Sequence, residues 1–450
     1  MKLNKYVHRL FILAGLLTLS FVAGAQARKI KIEEAIDLSI RNSHQLRYDT
    51  AKIREATAAW QEAKEKRLPD LSVSGSHIRL NNPNVDLKIK SDSAGSGGSQ
   101  SSMGKISSAT YGLVNFSLPI YAGSKIKYGI ESARYLEEAA KLDAADNRDE
   151  IALNTINAFD NLYKAKAAMD LVNDNLNSAK ERVRQFTSLE RNGVIPRNDL
   201  LKAELQQSNV ELSLLDAENN WKLANINMDI MLGLPDSTVL DPDIQFFTAT
   251  DKLMTVEEFI QAAQQHRNDV ASLELRKKAA AIGIKAAKGD YYPSLAITGG
   301  YVALWVPNLV TVTNALNVGI GVQYNLASLW KNNSKVQQAQ AREIQVQANQ
   351  EMLSDQIRMQ VHQAYLDYML SVRKIDTYQT AVAQAEENYK IVKNKYDNSL
   401  ATTTDLLDAD VAQLQSRLNY AFSRADASAA YSKLLKTAGI LNNTSTHSNN

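Results

Sequence analysis

Two acidic residues three positions apart, Asp405 and Asp408, come closest in this chain to a constellation that could act on something. They sit where the last helical stretch begins. Acids in a first turn are held by the positive end of the helix dipole, so capping is one reading of the pair. The corresponding stretch earlier in the chain keeps the first acid, as Asp199, but carries Lys202 where Asp408 would stand. No reaction centre is visible elsewhere. The histidines, His8, His44, His77, His266, His362 and His447, are scattered without a pair at ligand spacing, and no nucleophile elbow, P-loop or zincin pattern occurs. The glycine-rich tract Ser93–Ser99 is no dinucleotide fingerprint, because no strand-to-helix junction follows it. The chain is therefore read as a non-enzyme, with no cofactor and no metal.

The elements that must position Asp405 and Asp408 occur twice. Residues Val256 to Tyr301 repeat Ile32 to His77 without a gap, bringing Glu33 and Glu34 onto Glu257 and Glu258, Pro69 onto Pro293 and Gly75 onto Gly299. The match resumes at smaller offsets, with Asn115–Leu118 on Gln323–Leu326 and Asp199–Leu201 on Asp405–Leu407. Each copy runs helix, strand pair, very long helix, turn, helix. Two long copies are not a solenoid; they mark duplication of a structural half. The predicted bounds are 26–234 and 255–440. Between them lies a linker, 235–254, with a short strand near Ile244–Phe247, and the chain closes on a polar, disordered tail over 441–450.

Residues 1–25 read as a cleaved export signal. Lys2, Lys5 and Arg9 precede an apolar run from Leu10 to Ala23 that is too short to span a bilayer, and Ala23–Ala25 supplies small residues for cleavage. Losing those three cations takes the formal net charge from +2 to −1, so charge offers no argument for nucleic acid. The chain has no cysteine, which excludes disulfides, thiolate metal sites and a lipid on an N-terminal cysteine. No later window has the run of apolar residues that a spanning helix needs, which leaves a barrel as the only way to cross a membrane.

Four segments alternate with period two: about Leu71–Leu80, Ala109–Ile120, Leu295–Trp305 and Leu316–Leu326. In the last, Val318, Ile320, Val322 and Tyr324 share an apolar face opposite Gly319, Gly321 and Gln323; Val114 and Phe116 repeat the pattern in its counterpart. A half-buried soluble sheet alternates in the same way. Aromatic placement favours a membrane sheet. Tyr291 and Tyr292 precede one strand, Tyr121 and Trp330 follow two others, and all lie at the end where strands join helices, as one interfacial girdle would; Trp305 at the opposite end belongs to the second. The strand pairs are joined by a Ser/Gly/Asn-rich connection, Asn81–Ser108, and by a short apolar one, Val306–Ala315. Proline-free helices are predicted over Lys125–Glu190 and Lys331–Tyr396. The second carries Tyr368, Ile375, Val382, Tyr389 and Tyr396 a heptad apart. Shorter helices follow from Pro196 and Thr403.

Four strands cannot close a barrel, and an open sheet would leave unpaired edges in lipid, so several chains must contribute. Two would give eight strands and a filled interior; three give twelve and a lumen. Small residues on the inner face (Thr298, Gly300, Gly319, Gly321) suit an open wall.

At this point the chain resembles the TolC family of outer-membrane efflux proteins over essentially its whole mature length. The resemblance is carried by the Glu33–Ile36 opening and its echo, the junctions Leu68–Leu71 and Tyr292–Leu295, the segment Phe116–Gly123, and the helical tips Arg191–Val194 leading to Asp199–Glu204 and Tyr396–Ser399 leading to Asp405–Ala409. It implies a mainly α fold with a membrane β-barrel, in which long coiled-coil helices form an α-barrel and four strands per chain build a twelve-stranded barrel in a homotrimer. It further implies an outer-membrane location, with the helical tunnel extending into the periplasm, and a passive exit duct for efflux or secretion that works with an inner-membrane pump and a periplasmic adaptor. Asp405 and Asp408 match the family positions whose carboxylates ring the closed periplasmic entrance, where six like charges would repel anions and attract cations. Asp199 and Tyr396 match a tip latch, although its arginine is replaced here by Ala401; Tyr396 reads equally well as a heptad core residue. The alternative is an exported coiled-coil structural or adaptor protein without a pore.

Overall fold

The computed structural model describes residues 27–81, 107–243, 253–307 and 309–441. The signal segment, most of the Ser/Gly-rich connection, the strand expected near Ile244–Phe247 and the tail from residue 442 lie outside the described residues. In chain order the elements are β1 (Arg28–Ile30), α1 (Ile32–Asn42), α2 (His44–Glu65), β2 (Asp70–Arg79), β3 (Ser108–Ala122), α3 (Lys125–Arg191), α4 (Arg197–Leu232), β4 (Leu240–Pro242), α5 (Val256–His266), α6 (Asn268–Lys288), β5 (Ser294–Val306), β6 (Val310–Gln323), α7 (Ser328–Asp397) and α8 (Thr403–Thr437), with a 3-10 turn at Gly289–Tyr291. The two long helices, of 67 and 70 residues, run slightly longer than the sequence predicts. No described helix is long and apolar enough to cross a membrane.

The chain divides into two compact units that do not follow the repeats, since each draws on both copies. Of the described residues, one unit holds those up to Thr50, those within Leu142–Val270 and those from Met352 onward; the other holds those within Ala51–Lys141 and Ala271–Glu351.

The second unit contains one antiparallel sheet in the order β2-β3-β5-β6. Its register sorts the side chains by face, because directly opposed residues point the same way. Val73, Val114, Tyr301 and Leu316 form one row, and Leu71, Phe116, Gly299 and Val318 the next. The opposite face carries rows such as Ser72, Asn115, Gly300 and Asn317. Both outer edges, β2 and β6, lack a partner strand among the described residues.

One strand boundary corrects the sequence reading: β6 starts at Val310, so the connection expected over Val306–Ala315 is much shorter, lying between Val306 and Val310. The cause is a bulge. Val302 pairs with Ala315 and Leu304 with Val312, so β6 carries one residue more than β5 across this step. Asn314 takes a φ of 58°, which asparagine tolerates better than most residues, and its N–H donates to the Tyr301 hydroxyl at 3.2 Å.

Among the described residues, the first unit packs helices around four apolar clusters. One comes from the first copy (Ile30, Phe159, Leu162, Met228, Leu232, Leu240) and one from the second (Phe259, Ala263, Ile357, Val361, Leu434). A further strand pair was not legible in the sequence: β1 runs parallel to β4. Asn225 of α4 completes it, its Oδ1 accepting from the Leu240 N–H at 2.8 Å and its Nδ2 donating to the Thr238 carbonyl. Capping boxes start α5, with Thr255 and Glu258, and α8, with Thr402 and Asp405.

Candidate functional site

The helical tips are built by two turns related by the duplication. Gly193, at φ 73°, and Ser399, at φ 61°, take the left-handed conformation that ends α3 and α7. The next residue in each case closes a bond back into its helix, Val194 N–H to Leu189 and Leu400 N–H to Lys395. The apolar side chains of Val194 (66% exposed) and Leu400 (76%) are thereby left in solvent. Behind them Phe186, Leu200, Ala203 and Leu406 form a buried cluster that joins the two copies.

The predicted gate acids differ in their surroundings. Asp405 is exposed, and its Oδ2 accepts from the Thr402 N–H at 2.8 Å and the Thr402 hydroxyl at 2.7 Å. Those bonds, the backbone one foremost, hold its carboxyl below the usual range. Capping is therefore real for Asp405. Asp408, one turn on, is exposed and makes no ion pair among the described residues, which leaves its charge available to whatever approaches.

The latch pair is close but not hydrogen-bonded in the described contacts. Tyr396 stacks on Phe186 with ring centroids 5.5 Å apart, and its hydroxyl lies 3.5 Å from Thr403 Oγ1. Burial raises its phenol, and the nearby charges of Asp199 and Asp397 raise it further. Asp199 pairs instead with Lys202, at 3.7 Å, and Lys202 reaches across to Thr404 at 3.1 Å, tying the start of α4 to the start of α8.

The polar residue most firmly built into this region is one that sequence reasoning missed. Arg182 of α3 makes a two-pronged contact with Asp410 of α8, at 2.9 and 3.1 Å, with both side chains more than nine-tenths buried. Asn175 donates to the same carboxylate, and the Tyr389 hydroxyl accepts from Arg182. Burial would lower the guanidinium, but Asp410 and Tyr389 more than compensate and keep it firmly charged. A signal was available: Asp410 lies four residues from Leu406 and four from Leu414, both apolar packing positions, so a charge there has to find a partner.

In the sheet, Val114, Phe116, Val318, Ile320 and Val322, predicted to face lipid, share one face, whereas Tyr324, predicted with them, lies just past the end of β6. Val318, Ile320 and Val322 of the edge strand are 70–78% exposed, and Leu71 and Val73 at the other edge are exposed too. Val114 and Phe116, on the inner strand, are half-buried by their neighbours. Ile320 stands opposite Ile297 and Leu118, extending the apolar face. Of the aromatics, Tyr121, Tyr292, Trp305 and Trp330 are exposed and Tyr291 is half-buried. Thr298 faces Gly319, and Ala296 faces Gly321, on the small-residue side. Among the described residues no group of three or more acidic or histidine side chains could hold a metal.

The model of the outer membrane efflux protein family matches residues 35–234 and 259–439, which is most of the chain. None of the curated proteins matches it in sequence. Solved structures share the fold. The outer membrane protein VceC of Vibrio cholerae has 19% identity over 91% of this chain and 96% of its own, with a TM-score of 0.74. The CmeC outer membrane channel of Campylobacter jejuni has 16% identity over 91% and 86%, with a TM-score of 0.77. The open state of the Neisseria gonorrhoeae MtrE outer membrane channel has 17% identity over 91% and 89%, with a TM-score of 0.70.

Proposed function

Because the chain belongs to the outer membrane efflux protein family, we propose that it works as a homotrimeric, passive exit duct, fed by an inner-membrane pump through a periplasmic adaptor. The observation that carries this reading is the open four-stranded sheet. It has one continuous apolar face, one small and polar face, and two bare edges. Bare edges in lipid cost several kcal/mol for each unpaired backbone group, and pairing β2 of one copy with β6 of the next removes them. Three copies give twelve strands and leave a lumen.

The spacing of the aromatic rows supports a membrane sheet. Tyr121 stands opposite Leu295, and Trp305 lies ten residues further along β5 on the same face. Ten residues span roughly 33 Å. At the 35–45° tilt of membrane barrels this becomes about 25 Å, the height of their apolar band.

In this reading the duct is passive and its energy comes from the partner, in keeping with a sequence that carries no P-loop pattern. Asp408 and, secondarily, Asp405 would form the acidic ring at the entrance, and Asp199 and Tyr396 stabilise the resting tip. Val194 and Leu400 are apolar, exposed and placed at the two turns, which suits them to dock the adaptor. Substituting both with aspartate should abolish cross-linking to the adaptor in cells while leaving the assembled channel in the outer membrane. Unchanged cross-linking would remove the tips from the docking surface.

A further inference from the structure

The rotation of α8 about its own axis decides where its two leading acids point. Over its first turns Thr403, Leu406, Ala409 and Asp410 are buried, and Thr404, Asp405, Asp408 and Val411 are exposed. Leu406 packs with Phe186, Leu200 and Ala203. Of the four buried residues Asp410 alone is charged. Asp408 precedes it by two residues, roughly 200° around the helix, and Asp405 by five, roughly 140° away, so both acids are turned from the face that meets Arg182 of α3.

Apolar contact and the buried ion pair constrain that rotation differently. Burial of Leu406 and Ala409 is favourable in many orientations, because the hydrophobic effect has no direction. The Arg182 fork accepts one. Its two nitrogens reach the two Asp410 oxygens at 2.9 and 3.1 Å, with both side chains more than nine-tenths buried. Asn175, earlier on the same helix, adds a third donor to Asp410 at 3.2 Å, and the Tyr389 hydroxyl of α7 accepts from the guanidinium at 3.4 Å. Turning α8 by one residue's step would separate these groups and leave two buried charges unpaired, which is strongly destabilising. Apolar side chains of the same volume would hold the two helices together about as well. What the charged pair adds is direction.

We propose that Arg182 is the positioning residue of the entrance: through Asp410 it fixes the rotation of α8, and so aims Asp408 and Asp405 away from α3 and into the passage. This role rests on the reading of the two acids as the entrance ring. Arg182 acts on permeating ions only through α8, so removing the pair must change nothing once the two acids are gone.

The test uses the full chain, assembled and inserted in planar bilayers, with cation-over-anion permeability and block by divalent cations as readouts. An Arg182→Met, Asp410→Leu double variant replaces the pair with apolar side chains of similar size. Its channels should assemble, while the permeability ratio falls about threefold or more and block weakens about tenfold. Arg182→Lys, which keeps the charge and loses the fork, should move both readouts the same way by a smaller factor. On an Asp405→Ala, Asp408→Ala background neither change should have a further effect. A merely structural pair would lower the melting temperature and leave both readouts at parental values. Parental selectivity and block in the apolar variant overturn the proposal; should that variant not assemble, parental values in Arg182→Lys do so instead. A shift that persists undiminished without the two acids overturns it as well, because the pair would then act elsewhere. If the channel without the acids itself behaves as the parent does, the reading of the entrance fails, and the role of Arg182 with it.

Discussion

The two acids at the start of α8 look alike in sequence and differ in what their oxygens do. Asp405 spends one oxygen on its own helix start through Thr402, whereas Asp408 is unencumbered. In planar-bilayer recordings Asp408→Ala should therefore shift cation selectivity and weaken block by divalent ions more than Asp405→Ala does. Equal and negligible effects would leave both as capping residues. A second acid is perturbed by burial. Asp160 on α3 is 3% exposed, one of its oxygens has no partner, and its carboxyl is pushed up from 3.8 to about 7, chiefly by desolvation, against the opposing pull of Lys164. Between those values the folded state holds a proton that the unfolded chain has lost. The site's contribution is thus complete below about pH 4 and disappears as the pH rises through about 7. Asp160→Asn should stabilise the protein above pH 7 by about 4 kcal/mol, with no gain near pH 4. Thermal melts across that range check it, and a gain independent of pH would contradict it.

At the scale of elements, strands were legible wherever alternation was unbroken, and so were helices wherever apolar spacing persisted without proline. Val318, Ile320 and Val322 could be placed on one face before any coordinates, because a period of two leaves no other arrangement. The start of β6 was not legible, since the bulge at Asn314 breaks that period. Nor was the β1–β4 pair, because three residues carry no periodicity and the pairing leans on Asn225, distant in sequence. The ion pair of Arg182 and Asp410 joins positions far apart in the chain, and only the apolar company of Asp410 hinted at it. Glycines add a distinction that pattern alone misses. A Cβ at Gly319 would meet nothing within 4 Å, whereas one at Gly321 would lie 3.3 Å from Thr298. The side chain to place on the small-residue face is therefore at position 319. Ile320→Arg should impair assembly by about 2–4 kcal/mol if it lies near the bilayer midplane, and Gly319→Arg should be much better tolerated. Heat-modifiability of the assembled protein on gels compares them; equal damage would mean that the two faces share one environment.

For the molecule as a whole, duplication explains why one short sequence signature appears at both tips and both helix-to-strand junctions, and family membership explains what the duplicated halves are for. What a single chain does not do is close its own sheet: among the described residues β2 and β6 stay bare, with Leu71, Val73, Val318 and Ile320 exposed alongside them. Such an apolar, open-edged sheet is a predicted aggregation site in water and a barrel segment in lipid. The most direct test is the mass of the particle extracted from outer membranes in detergent, measured by native mass spectrometry of the full-length expressed chain. A particle containing three copies, absent from the soluble fraction, is the expected result. A water-soluble monomer would contradict the shared barrel, and with it the account of the duct.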